Sequence, residues 1–283
     1  MFSSCHYRHS FQCDKIIHIG RSVYKSILTE YCYESKDYNE VKGGLKYLKE
    51  IKGIGLFIGS SGLGKTFSIR CFTENLNKDL YKVIYISPTK KMRVFEFFAQ
   101  IAGALNIDTG ACYKNELYER IQTEIKRLVN KKRVQPIFII DDADNLSEQI
   151  LMELKLLFDF QMDSKDYTTI ILVGHEQLRK ELSKVKYETL QQRIVVNYRF
   201  NGLSREEVKE YVISRLKLAN QKNKIFEEAS LTALYSASKG SPRRLNNLII
   251  NSLMIGYQNN KSEIDEEIVM LAKNEIDFME QEW

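Results

Sequence analysis

Proline is scarce in this chain of 283 residues, with only three, and neither an internal repeat nor a low-complexity tract is present. That poverty in breakers excludes long disordered tails. Cysteine is also sparse: Cys5, Cys13, Cys32, Cys71 and Cys112 are odd in number and scattered. A disulfide framework is therefore excluded as the organising device, and reduced thiols are expected. No apolar run approaches the roughly 18 residues that cross a bilayer. The opening segment MFSSCHYRHSFQCDK lacks the continuous apolar core of a secretory signal. A cytoplasmic protein with no membrane partner is the expectation.

What remains is ordinary globular material, 43% hydrophobic and 28% charged, in a chain long enough for a domain of about 180 residues and a smaller one. The net charge of +5 is unevenly placed. Residues 1–200 carry 31 basic and 24 acidic side chains, whereas residues 201–283 carry 11 and 13. Between Lys78 and Arg133 the count is 12 against 6, which suggests a polyanionic partner as well as a nucleotide; a solvated basic face would give the same count.

One motif stands out. Gly59, Ser60, Ser61, Gly62, Leu63, Gly64, Lys65 and Thr66 match the pattern G-x-x-x-x-G-K-[ST], directly after the mostly apolar run 54–58 and before a helical stretch over 67–76. Glycines in such a loop let backbone N–H groups turn toward a β-phosphate, Lys65 can reach the β and γ oxygens, and the Thr66 hydroxyl can sit on Mg²⁺. A nucleoside triphosphate, ATP, is the expected ligand.

Apolar, β-branched runs recur at 54–58, 83–86, 137–140, 170–173 and 194–198 and read as buried strands. Amphipathic helical stretches lie between them, notably at 93–105, 117–129 and 148–160. This alternation predicts an α/β fold with a mainly parallel five-stranded sheet flanked by helices. After Asn201 only helical patterns follow: one capped by Ser204 with Glu207 and running through Leu218, one over 226–238, one over 242–257 with proline in its first turn, and one from Ser262. Residues 1–32 thus form an N-terminal segment without an assigned role, 33–201 the nucleotide-binding domain and 202–283 a C-terminal helical lid domain, expected to pack on the sheet domain.

The strand at 137–140 ends in Asp141 and Asp142. Asp141 is placed to hold Mg²⁺ through water, and Asp142 to polarise the attacking water. Alternatively Asp142 and Asp144 cap the helix that follows.

The stretches GSSGLGKT, IFIIDDADNLSEQILMELKLLFDF, TIILVGHEQLRKEL, LQQRIVVNYRFNGLSREEVKEYVISRLKLA and GSPRRLNNL together resemble the AAA+ ATPases of the ExeA/TniB/MuB group, especially stand-alone ATPases encoded beside transposases. The resemblance covers residues 33–275 and keeps motif order. It implies an AAA+ P-loop NTPase in which His175, at the end of the fourth strand, senses the γ-phosphate where relatives often have glutamine. A neutral imidazole can still donate one hydrogen bond there. It implies that Arg193 enters a neighbouring subunit's site and that Arg243 touches the γ-phosphate in cis, Arg244 facing solvent or a partner. Any of these side chains could instead be ordinary surface groups. Relatives usually carry glutamate where this chain has Asp142, one methylene shorter, so slow, assembly-dependent hydrolysis is expected.

The resemblance further implies that the segment after the second strand, here Thr89, Lys90, Lys91 and Arg93, grips the backbone of double-stranded DNA, although a basic helix start on an exposed face is the plainer reading. The function it implies is a helper that assembles on DNA as a homo-oligomeric ring or filament and recruits or regulates a transposase. A secretion or envelope-assembly ATPase, a small-molecule kinase and a replication-initiator or defence ATPase are the alternatives. Cys5, His6, His9 and Cys13 fit no common closed zinc site by spacing, and residues 31–33 are candidates to lie near adenine.

Overall fold

The structure, a computed structural model, describes residues 32–110, 112–157, 167–219 and 225–281. Cys5, His6, His9, Cys13 and Tyr31, and the last three residues of the helix expected over 148–160, lie outside the described residues. The described residues form two compact units: one from those within 39–61 and 68–200, the other from 32–38, 62–67 and the described residues from Asn201 onward.

The first unit is built on five strands: β1 (Gly53–Ile58), β2 (Tyr81–Ile86), β3 (Gln135–Ile140), β4 (Thr169–Gly174) and β5 (Ile194–Arg199), in the spatial order β2-β3-β4-β1-β5. Every pairing is parallel. The central strands β1 and β4 are buried along their whole length, which is why they read as unbroken apolar runs. The edge strands differ from the sequence expectation. β2 and β5 alternate, with Val83, Tyr85 and Val195 exposed, because an edge strand lacks a second neighbour and one of its faces meets water. Register aligns Ile58 with Gly174, Ile140 with Leu172 and Ile86 with Ile140. The last residues of β1 to β4 therefore lie along one edge of the sheet, where ligands of open parallel sheets bind.

Helices cover this sheet through apolar stripes. Helix α1 (Lys36–Ile51), absent from the sequence reading, buries Val41, Leu45 and Leu48. Next come α2 (Lys65–Glu74), α3 (Val94–Leu105) and α4 (Lys114–Arg127). Phe97, Phe98 and Ile101 of α3 and Leu117, Ile121 and Ile125 of α4 join Phe138 and Ile140 in the core. Spacing of four residues between Leu117, Ile121 and Ile125 on α4 produces that stripe, and each such side chain contributes roughly 1.5–3 kcal/mol on burial. A π turn, Leu128–Lys132, follows α4 and is closed by Arg133 at φ 57°. Short helices α5 (Glu148–Glu153), α6 (Glu176–Leu182) and α7 (Glu188–Gln191) complete the unit.

Among the described residues from Asn201 onward, the second unit contains four helices: α8 (Arg205–Leu218), α9 (Glu228–Ser238), α10 (Pro242–Gln258) and α11 (Glu266–Gln281). The capping box on α8 is present, with Ser204 Oγ accepting from the Glu207 N–H and Glu207 accepting from the Ser204 N–H. The last helix starts four residues later than Ser262 suggests. Ile264 is held in a short parallel bridge with Phe226, and Asp265 supplies the cap by accepting from the Ile268 N–H at 3.0 Å. Chain preceding α1 and the first turn of α1 join this bundle: the Tyr33 hydroxyl donates to Glu210 at 2.8 Å, its ring packs edge-on against Tyr211, and Asp37 accepts from the N–H groups of Asn201 and Gly202. Burial, reinforced by Glu210, pushes the Tyr33 phenol far above its ordinary range, so it remains a donor.

Candidate nucleotide site

Gly59, the first residue of the phosphate-binding pattern, follows β1 directly. Its N–H donates to the Gly174 carbonyl at 3.2 Å, and its own carbonyl lies 3.1 Å from Nδ1 of His175. The loop apex belongs to the helical unit. Ser241 Oγ and the Arg243 N–H both donate to the Gly62 carbonyl, at 3.2 and 3.3 Å. Gly62 is required twice over: its φ is 79°, and a Cβ there would stand 2.8 Å from Ser241 Oγ and 3.0 Å from Arg243 Cβ. Gly64, at φ 89°, has nothing within 4 Å of the place a Cβ would take. The loop thus faces open space where a phosphate needs room. Helix α2 begins with buried Lys65 and exposed Thr66, and no acidic residue occupies its first turn, so its positive end is uncompensated and suited to an anion.

At the end of β3, Asp141 is 5% exposed. Its Oδ2 accepts from the Tyr85 hydroxyl and its Oδ1 from the Asp142 N–H, each at 3.0 Å. Burial first, then the Asp141 charge, pushes the Tyr85 phenol up to about 12, which makes it a permanent donor at physiological pH. Asp142 is exposed and adopts φ 50°, ψ 43° without a side-chain capping bond. Aspartate is among the few residues that tolerate this left-handed region, a local reason for the shorter acid. Neither of the two cappers considered from the sequence caps the helix that follows: Asp142 makes no capping bond, and Asp144 Oδ1 accepts from the His175 N–H at 2.6 Å, at the start of the later helix α6. Ser147, in turn, caps α5 by accepting from the Ile150 N–H.

One side of the His175 ring is already engaged. A carbonyl only accepts, so the Nδ1 facing Gly59 carries the hydrogen. In the neutral ring that is the one available donor. Nε2 is left as an acceptor in that ring.

Arg193 lies far from its own chain's phosphate loop. Its carbonyl accepts from the Ile54 N–H at 2.8 Å, at the start of β1, whereas the loop follows the end of β1, about 17 Å of extended strand away. No arginine side chain spans that distance. Arg243, by contrast, stands beside the loop apex at Gly62. Arg244 departs from the expectation that it faces solvent or a partner: Nε donates to the Ala237 carbonyl at 2.9 Å and the guanidinium pairs with Asp277 within the bundle.

Thr89, Lys90, Lys91 and Arg93 are exposed in the loop between β2 and α3, at the same sheet edge as Asp141. Arg93 is paired with Glu96, which also caps its N–H. Tyr85, Ser241 and the paired role of Asp144 were missed by sequence reasoning. Alternation along β2 carries a signal for Tyr85; nothing local marks Ser241. Among the described residues no group of three or more His, Cys, Asp or Glu side chains is placed to hold a metal ion alone. A hard oxygen donor such as Asp141 suits Mg²⁺, which commonly takes one carboxylate plus substrate phosphates.

Comparison with known proteins agrees with this geometry. Residues 49–182 match a family model described as AAA domain. The chain is 28% identical over 251 residues to General secretion pathway protein A of Aeromonas hydrophila, covering 87% of this chain and 45% of that protein, so it spans about half the length of that relative. Among solved structures, Cdc6p of Pyrobaculum aerophilum superposes with a TM-score of 0.65 at 18% identity, covering 89% of this chain and 70% of that one. The Aeropyrum pernix ORC1 protein, solved in complex with DNA, gives 0.61 at 16%, covering 89% and 69%. Residues 49–182 are accordingly similar to the AAA domain, and the five-stranded parallel sheet with its flanking helices matches the fold of those solved structures.

Proposed function

We propose that this protein is an ATP-dependent, DNA-binding AAA+ ATPase that assembles on duplex DNA as a ring or filament and there recruits or regulates a transposase. Gly59 to Thr66 bind the triphosphate through backbone N–H groups and Lys65. Thr66 and Asp141 hold Mg²⁺, which when bound neutralises charge on the β- and γ-phosphates. Asp142 orients the attacking water, and Arg243 together with His175 reads the γ-phosphate. Tyr85 keeps the Asp141 carboxylate oriented throughout.

The observation that carries the assembly reading is the position of Arg193 at the sheet edge opposite its own phosphate loop. A guanidinium there can offset charge on a transferred phosphoryl group only in another subunit. Mass photometry and electron microscopy test this. Polymers that require ATP and duplex DNA, and that are lost in Lys65→Ala and Arg193→Ala, are expected; a chain that stays monomeric with both ligands overturns the reading.

Similarity to the Aeromonas secretion protein favours a second reading, an ATPase of envelope assembly. Fractionation separates the two. Recovery with DNA and a co-purifying transposase supports the first, and recovery with envelope fractions independent of DNA supports the second. A shared fold with Cdc6 and ORC proteins is also compatible with a replication-initiator ATPase, for which origin-dependent DNA binding would be the sign.

A further inference from the structure

The positive excess between Lys78 and Arg133 is not concentrated where the sequence places a DNA grip. Residues 126–133, KRLVNKKR, contain five cations and no carboxylate. Arg127 is taken up by Glu124. Lys131, Lys132 and Arg133 are exposed and, with Lys82, form no ion pair among the described residues. They gather at one end of β2. The register Tyr81 to Gln135 and the 2.8 Å bond from the Gln135 N–H to the Leu80 carbonyl set the π turn beside the first residues of that strand. The Glu124 carboxylate is held low first by its bond to Arg127 and further by the charges of Lys132 and Lys82.

Lys90 and Lys91 stand at the other end of the same strand. Their turn is fixed by the Met92 N–H on the Thr89 carbonyl and by Asn145 donating to the Pro88 carbonyl. Between the two clusters runs the outer side of β2, which no strand covers among the described residues, with Val83 and Tyr85 exposed. Six residues of strand cover about 20 Å, close to the rise of six base pairs at about 3.4 Å each.

We infer that the outer edge of β2, bounded by Lys82, Lys131, Lys132 and Arg133 at its start and by Lys90 and Lys91 at its end, is a docking band for the phosphate backbone of duplex DNA. This rests on the DNA-binding reading and enlarges its footprint from one loop to both ends of a strand. Clustering at two fixed points on a rigid element suits two stretches of backbone. A lipid surface is instead usually met by a basic amphipathic helix. Glu96 already occupies Arg93, so the far cluster supplies most of the unneutralised charge.

Fluorescence anisotropy of a labelled duplex, from about 50 to 200 mM salt, tests the band in the full chain with Lys131→Glu/Lys132→Glu. Both positions are exposed in a helical turn, and Lys131→Gln/Lys132→Gln serves if the reversal perturbs folding; binding of a fluorescent ATP analogue reports the intact fold. The expected result is a fall of about 2 in the slope of log K against log salt, at about 0.9 per phosphate contact, with unchanged nucleotide affinity. A slope equal to the parent's in both variants overturns the band and confines the contact to residues 89–93. A parent chain that binds no duplex overturns the DNA reading itself. Binding to vesicles of equal phosphatidylglycerol and phosphatidylcholine, without duplex binding, overturns the band in favour of a membrane.

Discussion

Nδ1 of His175 lies 3.1 Å from the carbonyl oxygen of Gly59, so the side chain expected to watch the γ-phosphate also anchors the first residue of the phosphate loop. The backbone N–H of the same histidine is bonded to Asp144, and the ends of β1, β3 and β4 are thereby linked through one residue.

Replacement of His175 separates its two tasks. An amide in His175→Gln keeps a donor and an acceptor at fixed charge, and turnover within about tenfold of the parent is expected; His175→Ala loses the Gly59 bond and should lower kcat by about 10²-fold or more, the range for positioned acid-base and orienting groups. Nucleotide binding and single-turnover hydrolysis by the three proteins measure it; parental turnover in His175→Ala would remove His175 from the phosphate-sensing role.

Tyr85 should respond at the alkaline end. Its phenol is raised from 10.0 to about 12 by burial and the Asp141 charge. A folded-state pKa above the unfolded one means the stabilisation is whole below about pH 10 and is lost as the pH climbs toward 12. Thermal melts of parent and Tyr85→Phe should differ at neutral pH and converge across that window. The variant should also need several-fold more Mg²⁺ to saturate nucleotide binding, while binding in EDTA stays unchanged.

Asp142 sits at φ 50°, so restoring the longer acid of related ATPases has a conformational cost. Asp142→Glu is expected to lower stability by about 1 kcal/mol, the scale of left-handed strain. Asp142→Asn should preserve fold and ATP affinity yet reduce turnover by about 10²-fold or more. Single-turnover hydrolysis and thermal melts measure both; hydrolysis by Asp142→Asn at the parental rate would take Asp142 out of the chemistry.

Arg193→Ala should bind ATP like the parent and hydrolyse it about 10³-fold more slowly. Mixing it with Lys65→Ala, which keeps Arg193 but lacks the phosphate lysine, should recover activity that neither variant has alone. Absence of recovery at any mixing ratio would show that Arg193 does not act across subunits.

The parts of the fold that could be read in advance are those where one residue type has one physical use. Gly62 and Gly64 announce a loop with left-handed turns, found at φ 79° and 89°, and the run ending at Asp141 is apolar because β3 is buried over nearly its whole length. The edge strands misled because Val83 and Val195 carry the same β-branched side chains as a core strand while facing water. Helix α1 escaped because Gly43 and Gly44 interrupt its pattern, each costing about 1 kcal/mol of helix propensity. Its register comes from tertiary burial of Val41, Leu45 and Leu48. Contacts such as Tyr85 with Asp141, 56 residues apart in the chain, depend on strand order, which no local pattern encodes.

Phosphate loop and Arg193 occupy opposite rims of one sheet, and this gives any Arg193-mediated association a direction. Each subunit would have a donating side and a receiving side that do not complement themselves, so joining is head-to-tail, closing into a cycle or growing as a helix. In an open chain, one terminal subunit would always hold a nucleotide that no partner can help to cleave. Loss of nucleotide would then begin in the interior, and that end would remain capped with ATP.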